Sequence, residues 1–471
     1  MSYRARASVL ALLVLLPAGE ACAPQEDGPG GTAAVRVAAA VDAIARDALE
    51  RDVMAGMAVV VLRGDDTLLA RGYGRADVEN DVPMSVDHVF QLASITKQFT
   101  AAAVLVLVED GLVELDEPVT RYLPDAPVQG RPVTVRQLLA HTSGVPDVAE
   151  SPRLSAIKRL DLPPDSVLAL IDGTPLYFEP GDQMRYSNTG FLLAGQLIER
   201  VSGAPYAALV EERVLRPAGA ERARFCDPEA MVPRLARGYA AGPDGLRPAP
   251  FISPRVPFSA GGFCGTAGDL AAWNAALHGS AGGPVLSPGV YAEMTGPATV
   301  RDGRRTRYGL GLGLGELAGR RALWHGGDID GFTTFTAYLP DDSLNVTVLI
   351  NTQGPTRPDA VAAAAVVAAL GELPEPDPGP APPDLEPFAG VYGGDVVVEA
   401  VGEGESPALR LTRGPMPPAL LRYAGSDDRG WTFTDGRARY AFVAPPPGGR
   451  PASPAVWADL GVALVRWERR P

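Results

Sequence analysis

The 471-residue chain is 46% apolar and rich in glycine and proline, enough for two or three hydrophobic cores. Its net charge of −14 at pH 7, with a pI near 4.9, argues against nucleic-acid binding as a general function. The acidity is diffuse, with no long single-sign run to mark a tail.

Arg4 and Arg6 precede an apolar run from Val9 to Leu16, followed by Pro17 and AGEACA. This predicts a signal peptide over residues 1–21, too short for a spanning helix, and hence export to the periplasm or beyond the cell. Two endings stand side by side: lipidation of Cys22, which follows the small Ala21, or simple cleavage near Ala21. Lipidation is the only membrane attachment expected. Residues 22–32, rich in Pro, Gly and acid, read as a tether. Export also permits a disulfide between Cys226 and Cys264, the alternative being two buried thiols.

Ala33 to Arg51 has helical apolar spacing, and Met57–Leu62 and Thr67–Gly72 read as strands joined through Gly64-Asp65-Asp66. Gln91 to Gly111, QLASITKQFTAAAVLVLVEDG, is apolar around most of a helix and so predicts a buried one. Ser94 stands at the expected helix start and Gly111 at its end. The chain has two lysines, Lys97 and Lys158, so an ammonium at Lys97 within this run stands out. The three-residue spacing places Ser94 and Lys97 on one face, where a desolvated amine can take the proton of a serine nucleophile. The alternative is a helix cap and a lysine reaching solvent.

Val133–Ala140 reads as a short helix leading into His141-Thr142-Ser143-Gly144, a turn in which His141 as catalytic base is the sharper alternative. A mainly helical stretch follows from Leu154 to Glu212. Within it Tyr186 and Asn188, one residue apart, point the same way in extended backbone. A phenol there can pass a proton to a leaving group, and a carboxamide can bond both Lys97 and a substrate carbonyl. A core tyrosine and a helix cap are the plainer readings. Ala218 to Pro257 reads as long surface connections. Thr266 caps a predicted helix ending at His278, read as a favourable C-terminal cation.

Tyr308–Leu314, Arg320–His325, Gly331–Leu339 and Asn345–Asn351 read as antiparallel strands, followed by a helix over Val361–Leu370. Gly326 and Gly327 allow close approach of another backbone beside His325, which either serves a substrate or simply packs. Gly371–Pro387 is a Pro-rich linker. Beyond it, short alternating runs at 396–401, 408–411, 431–433, 440–443 and 462–467 predict a small antiparallel barrel or sandwich. No metal-ligand spacing or phosphate-cradling motif is present, so no cofactor is expected.

With SITK at 94–97, YSN at 186–188 and HGG at 325–327 in order, the sequence resembles the serine β-lactamase and penicillin-binding-protein superfamily. HTSG and AGGFCGTAGDLAAW match supporting segments of its class C β-lactamase-related branch. That branch includes D-alanyl-D-alanine carboxypeptidases, esterases and D-aminopeptidases. The resemblance covers roughly Ala33 to Leu370. It implies an α/β (α+β) fold in which helices and a helical subdomain flank an antiparallel sheet over residues 33–371. A linker at 372–387 would lead to a lipocalin-like barrel at 388–471.

The same resemblance implies an acyl-enzyme on Ser94, general base and acid work shared by Lys97 and Tyr186, and a role for His325. Asn188 and Gly327 would meet the substrate, with Asp328 N–H and Ser94 N–H forming the oxyanion hole. Family β-lactamases carry KTG where this chain has HGG, which favours esters or D-amino-acid peptides as substrates. β-Lactamase activity and a catalytically silent cell-wall-peptide binder are the alternatives.

Overall fold

A computed structural model describes residues 32–279, 282–372, 382, 384–393, 395–401, 408–413, 418–427, 430–434, 439–443, 455–459 and 463–470. The expected signal peptide, nearly all of the tether and much of the linker lie outside the described residues.

Thr32 caps the first helix, α1 (Ala33–Glu50), by accepting from Val35 N–H. Strands β1 (Gly56–Arg63) and β2 (Asp66–Asp77) form the expected hairpin, with β2 running longer than its apolar run. The buried helix α2 (Thr96–Glu109) follows, then α3 (Asn188–Ser202) and α4 (Ala267–His278). Strands β3 (Gly313–Leu317), β4 (Arg320–Ile329), β5 (Phe332–Leu339) and β6 (Leu344–Ile350) precede α5 (Pro358–Leu370).

These strands make one antiparallel sheet in the order β3-β4-β5-β6-β1-β2, with Val82–Pro83 on the far edge. The register Val59↔Val348 pairs its first strand with β6 in the interior of the sheet. One face is sealed by α1 and α5, whose Val37, Val41, Val361 and Val366 pack on Val59, Val61 and Val346. The other face carries the helical subdomain, whose core includes Phe99, Leu105, Phe191, Leu197 and Trp273. Each such side chain contributes about 1.5–3 kcal/mol by leaving water. Every residue of α2 from Thr96 to Leu107 is buried, so the all-round apolar pattern meets protein on every side.

Two local expectations are corrected. Ser94 does not cap α2: it sits in a 3-10 turn, Ala93–Ile95, that runs directly into the helix. His278 is not a terminal cation; it is buried, stacks on Tyr338 with ring centroids 5.3 Å apart, and burial pushes its pKa down to about 3.

The C-terminal part is a nearly closed antiparallel barrel of β7 (Gly390–Tyr392), β8 (Val396–Val401), β9 (Ala408–Arg413), β10 (Ala419–Asp427), β11 (Gly430–Thr434), β12 (Arg439–Val443), β13 (Ala455–Asp459) and β14 (Ala463–Glu468). A bridge from Tyr392 to Arg469 brings its two ends together. Phe388, Phe433 and Phe442 meet at 5.3–5.6 Å in its interior, so the described interior is a packed aromatic core. Its last strand, β14, continues the sheet onto Met184–Arg185 of the helical subdomain.

Candidate active site

Three segments converge on Ser94. The first is the turn that carries it. Phe90–Gln91 pairs with Phe263–Gly265, which also pairs with Arg224–Phe225, and Leu92 N–H bonds Phe263 C=O at 2.9 Å. Cys226 and Cys264 are joined by a disulfide across this small sheet, their Cα atoms 5.4 Å apart. The chain then reverses at Ala93, which holds a left-handed φ of +49°. Such strain in a non-glycine residue persists only where its surroundings impose it.

The end of β4 lies alongside this turn. A Cβ on Gly327 would come within 2.3 Å of Leu92 O and 3.1 Å of Ala93 Cβ, so the close approach requires glycine. Thr334 on the neighbouring strand donates to the same Leu92 carbonyl at 3.0 Å. Gly327 and Asp328 are thereby set beside Ser94, while Asp328 is exposed and accepts from Gln353 Nε2 at 2.6 Å.

The third segment is Tyr186–Asn188, at the entry to α3. Lys97, fully buried, is where the three meet. Its Nζ lies 3.1 Å from Ser94 Oγ, 2.8 Å from Asn188 Oδ1 and 2.8 Å from the carbonyl of Ala260. It also sits 4.7 Å from the centre of the Tyr186 ring. Burial pulls the amine down to about 7, and the charge of Asp147 opposes that shift. A neutral amine has two N–H groups and one lone pair. With both N–H groups taken by fixed carbonyl oxygens, the lone pair is left for the Ser94 hydroxyl.

Tyr186 packs against His141, with ring centroids 4.2 Å apart and the planes tilted by 35°. Burial raises its pKa well above the ordinary phenol value, while a hydrogen bond with Ser94 works the other way. The phenol is therefore protonated at neutral pH and available as an acid.

His141 is a support rather than a base at the nucleophile. Its Nδ1 accepts from Ser187 N–H at 3.1 Å, and burial holds its pKa well below the usual imidazole value. The HTSG turn around it is built as expected, with His141 at φ +59° and Gly144 at φ +74°.

His325 is equally committed. Its Nδ1–H donates to Gly326 C=O at 2.6 Å and its Nε2 accepts from Tyr308 OH at 2.8 Å. Burial and the nearby Lys97 push its pKa down to about 3, so it is neutral. Its ring centre is 6.3 Å from that of Tyr186.

All the expected site residues are thus gathered at one place. Sequence reasoning missed Asp147, Tyr308 and the Ala260 carbonyl. Asp147 is buried and accepts from Asn188 N–H at 3.1 Å, from Asn188 Nδ2 at 3.1 and 3.3 Å, and from Ala149 N–H at 3.0 Å. Its one sequence signal is its position three residues after HTSG.

A fold of this kind, with a serine on the turn before a buried helix and a lysine in that helix's first turn, facing a Tyr-x-Asn segment and a Gly-rich strand end, defines a class of serine hydrolases. The family profile described as Beta-lactamase matches residues 41–371, and the chain belongs to that family. It is 30% identical to a D-aminopeptidase of Gluconobacter oxydans over 68% of this chain and 60% of that protein. It is 33% identical to Esterase EstB of Burkholderia gladioli over 60% of this chain and 80% of that protein. The chain spans less than two thirds of the length of the D-aminopeptidases it matches.

Among solved structures, D-amino acid amidase from Ochrobactrum anthropi SV3 superposes with a TM-score of 0.63 at 27% identity, covering 70% of this chain and 98% of that one. The octameric penicillin-binding protein homologue from Pyrococcus abyssi shares the fold over 92% of this chain and all of its own, with a TM-score of 0.62 at 24% identity.

Proposed function

We propose that this protein is an exported serine hydrolase that cleaves esters or D-amino-acid amides and peptides through an acyl-enzyme on Ser94. The observation that carries the reading is the setting of Lys97: buried, its pKa lowered to about 7, and held by two carbonyl oxygens 3.1 Å from Ser94 Oγ, which leaves the neutral amine's lone pair for the Ser94 hydroxyl. The esterase, D-aminopeptidase and D-amino acid amidase relatives support the substrate range. The disulfide supports an oxidising compartment.

In the proposed cycle Lys97 takes the hydroxyl proton as Ser94 Oγ attacks the substrate carbonyl carbon. The developing oxyanion is met by the N–H groups of Ser94 and Asp328. Tyr186 donates its proton to the departing alcohol or amine, and the Lys97 proton restores it. Water then attacks the acyl-enzyme as neutral Lys97 takes its proton and passes it to the departing Ser94 Oγ, releasing the acid and regenerating Ser94. Asn188 and Gly327 line the substrate's path. His325 shapes the wall behind Tyr186 without carrying charge.

The same geometry disfavours β-lactams. Their ring carboxylate finds no cation at His325 and no hydroxyl at Gly326. A missing charged hydrogen bond costs about 1.5–3 kcal/mol, or roughly tenfold to a hundredfold in rate. The test compares kcat/KM for p-nitrophenyl butyrate, a D-alanyl-D-alanine peptide and a D-amino-acid amide with that for nitrocefin at neutral pH. One of the first three should exceed nitrocefin by at least about tenfold. Faster nitrocefin hydrolysis would make the protein a β-lactamase, and turnover of none would favour the binding-protein alternative.

A further inference from the structure

Asn188 has two chemically different ends, and Lys97 needs the right one. If the amide faced Lys97 with its NH2 group, that group would claim the amine lone pair and deny it to Ser94. Nothing on the Lys97 side prevents this, because an amine can accept as well as donate. The constraint comes from the other side. Asp147 presents a carboxylate whose oxygens both receive Asn188 Nδ2, while Oδ1 also accepts Asn188 N–H and Ala149 N–H. Four accepting contacts and no donating one suit an ionised carboxylate, which can pair only with the NH2 end of the amide.

The loop that carries Asp147 is itself fixed. Val148 N–H donates to Thr189 Oγ1 at 2.9 Å, and Asp147 N–H donates to Tyr177 OH at 3.2 Å. Asp147 also caps the short 3-10 turn Val148–Glu150 through Ala149. The carboxylate therefore lies on rigid backbone, buried, directly behind Asn188.

We propose that Asp147 is a positioning residue that sets the polarity of the Asn188 amide and so directs the Lys97 lone pair at Ser94. It touches neither substrate nor Ser94 and acts through Asn188. This rests on the reading of Lys97 as the base for Ser94. Its charge has a second effect of known sign: it draws Lys97 toward the protonated form, against burial.

Asp147→Asn tests this, because the new amide can donate to Asn188 Oδ1 and stabilise the flipped orientation. In the full-length protein, the rate of Ser94 labelling by a fluorophosphonate and kcat for p-nitrophenyl butyrate should fall by about 10–100-fold, part of the roughly 10²–10⁴ that a general base is worth. KM should change less than about twofold, since the lost contact is not with substrate. The acid limb of the labelling rate should move to lower pH, because a Lys97 without its anion, facing an NH2 group, is harder to protonate. Asp147→Ser keeps an oxygen for Ala149 N–H and serves as the second variant should Asp147→Asn fold poorly. It should show the same shift of limb.

An unmoved limb with a wild-type rate would overturn the inference. So would a loss confined to the fraction of labelled molecules, which would mark a merely structural role. A wild-type labelling rate that is flat between about pH 5 and 9 would overturn the reading of Lys97 itself, and the inference with it.

Discussion

Lys97 and Asn188 meet across 91 residues of sequence, with the Nζ of the fully buried Lys97 2.8 Å from Oδ1 of the part-buried Asn188. That contact ties the helix that follows the nucleophile to the segment bearing Tyr186, and it fixes where the amine's remaining valence points. Kinetic behaviour follows from it.

The pH dependence comes first. Lys97 acts as a base only when neutral, and burial lowers its pKa from 10.5 to about 7. Activity is therefore expected to be full above pH 7 and to fall about tenfold per unit below it. Replacing Lys97 with Ala should cost about 10²–10⁴ in kcat, the usual worth of a general base. A kcat/KM profile that stays level down to about pH 5 would assign the base role elsewhere.

Three histidines are predicted to stay neutral far below their usual pKa. His141, His278 and His325 are buried, and burial lowers all three, the last two to about 3. The unfolded chain binds protons at these positions from about pH 6.5 downward while the folded one does not. Their contribution to stability is thus intact above about pH 6.5 and declines as pH falls, by about 1.4 kcal/mol per unit for each histidine. Urea unfolding from pH 7.5 to 4.5 measures this. Stability that is flat across that range would show that the histidines are protonated in the fold.

The disulfide is expected to matter for activity as well as stability. Cys264 lies in the strand that pairs with Gln91, three residues before Ser94. Closing this 38-residue separation is worth about 2–4 kcal/mol. A Cys226→Ala/Cys264→Ala protein should unfold at correspondingly lower denaturant and label more slowly at Ser94. Unchanged stability and labelling would mean that the neighbouring packing alone holds the turn.

Among the described residues, the barrel approaches the site at Met184 and Arg185. β14 pairs with Met184 and Arg185, immediately before Tyr186, and Met184 packs with Tyr308, the partner of His325. Removing residues 372–471 is predicted to lower kcat for a small ester at least about threefold while Ser94 still labels, because Tyr186 loses a flanking strand. A truncated protein with full turnover would confine the barrel to other tasks.

Much of this arrangement was legible in the sequence because it depends on residue type. A lysine inside an all-round apolar helix, three residues from a serine, left a helix cap and a solvated lysine open until SITK, YSN and HGG were read together in order. Paired glycines beside His325 marked a close backbone approach, which the structure shows at Gly327, against Leu92 and Ala93, but not at Gly326. What escaped was geometry without a compositional signature. An alanine gives no sign that it will adopt a positive φ, so the turn at Ala93 read as the first turn of a helix. The Ala260 carbonyl is backbone and carries no sequence mark. Asp147 follows a proline in a loop, where a carboxylate is ordinarily solvated, and its burial against Asn188, 41 residues away, has no local sequence mark. Met184–Arg185 is a two-residue strand that exists because β14 lies beside it.

The central claim is that Ser94 forms the covalent intermediate. The full-length protein should be treated with a fluorophosphonate, digested, and mapped by mass spectrometry alongside a Ser94→Ala variant of equal thermal stability. The account predicts one adduct on the peptide containing Ser94 and loss of both adduct and ester turnover in the variant. Labelling or turnover that persists in folded Ser94→Ala would contradict it.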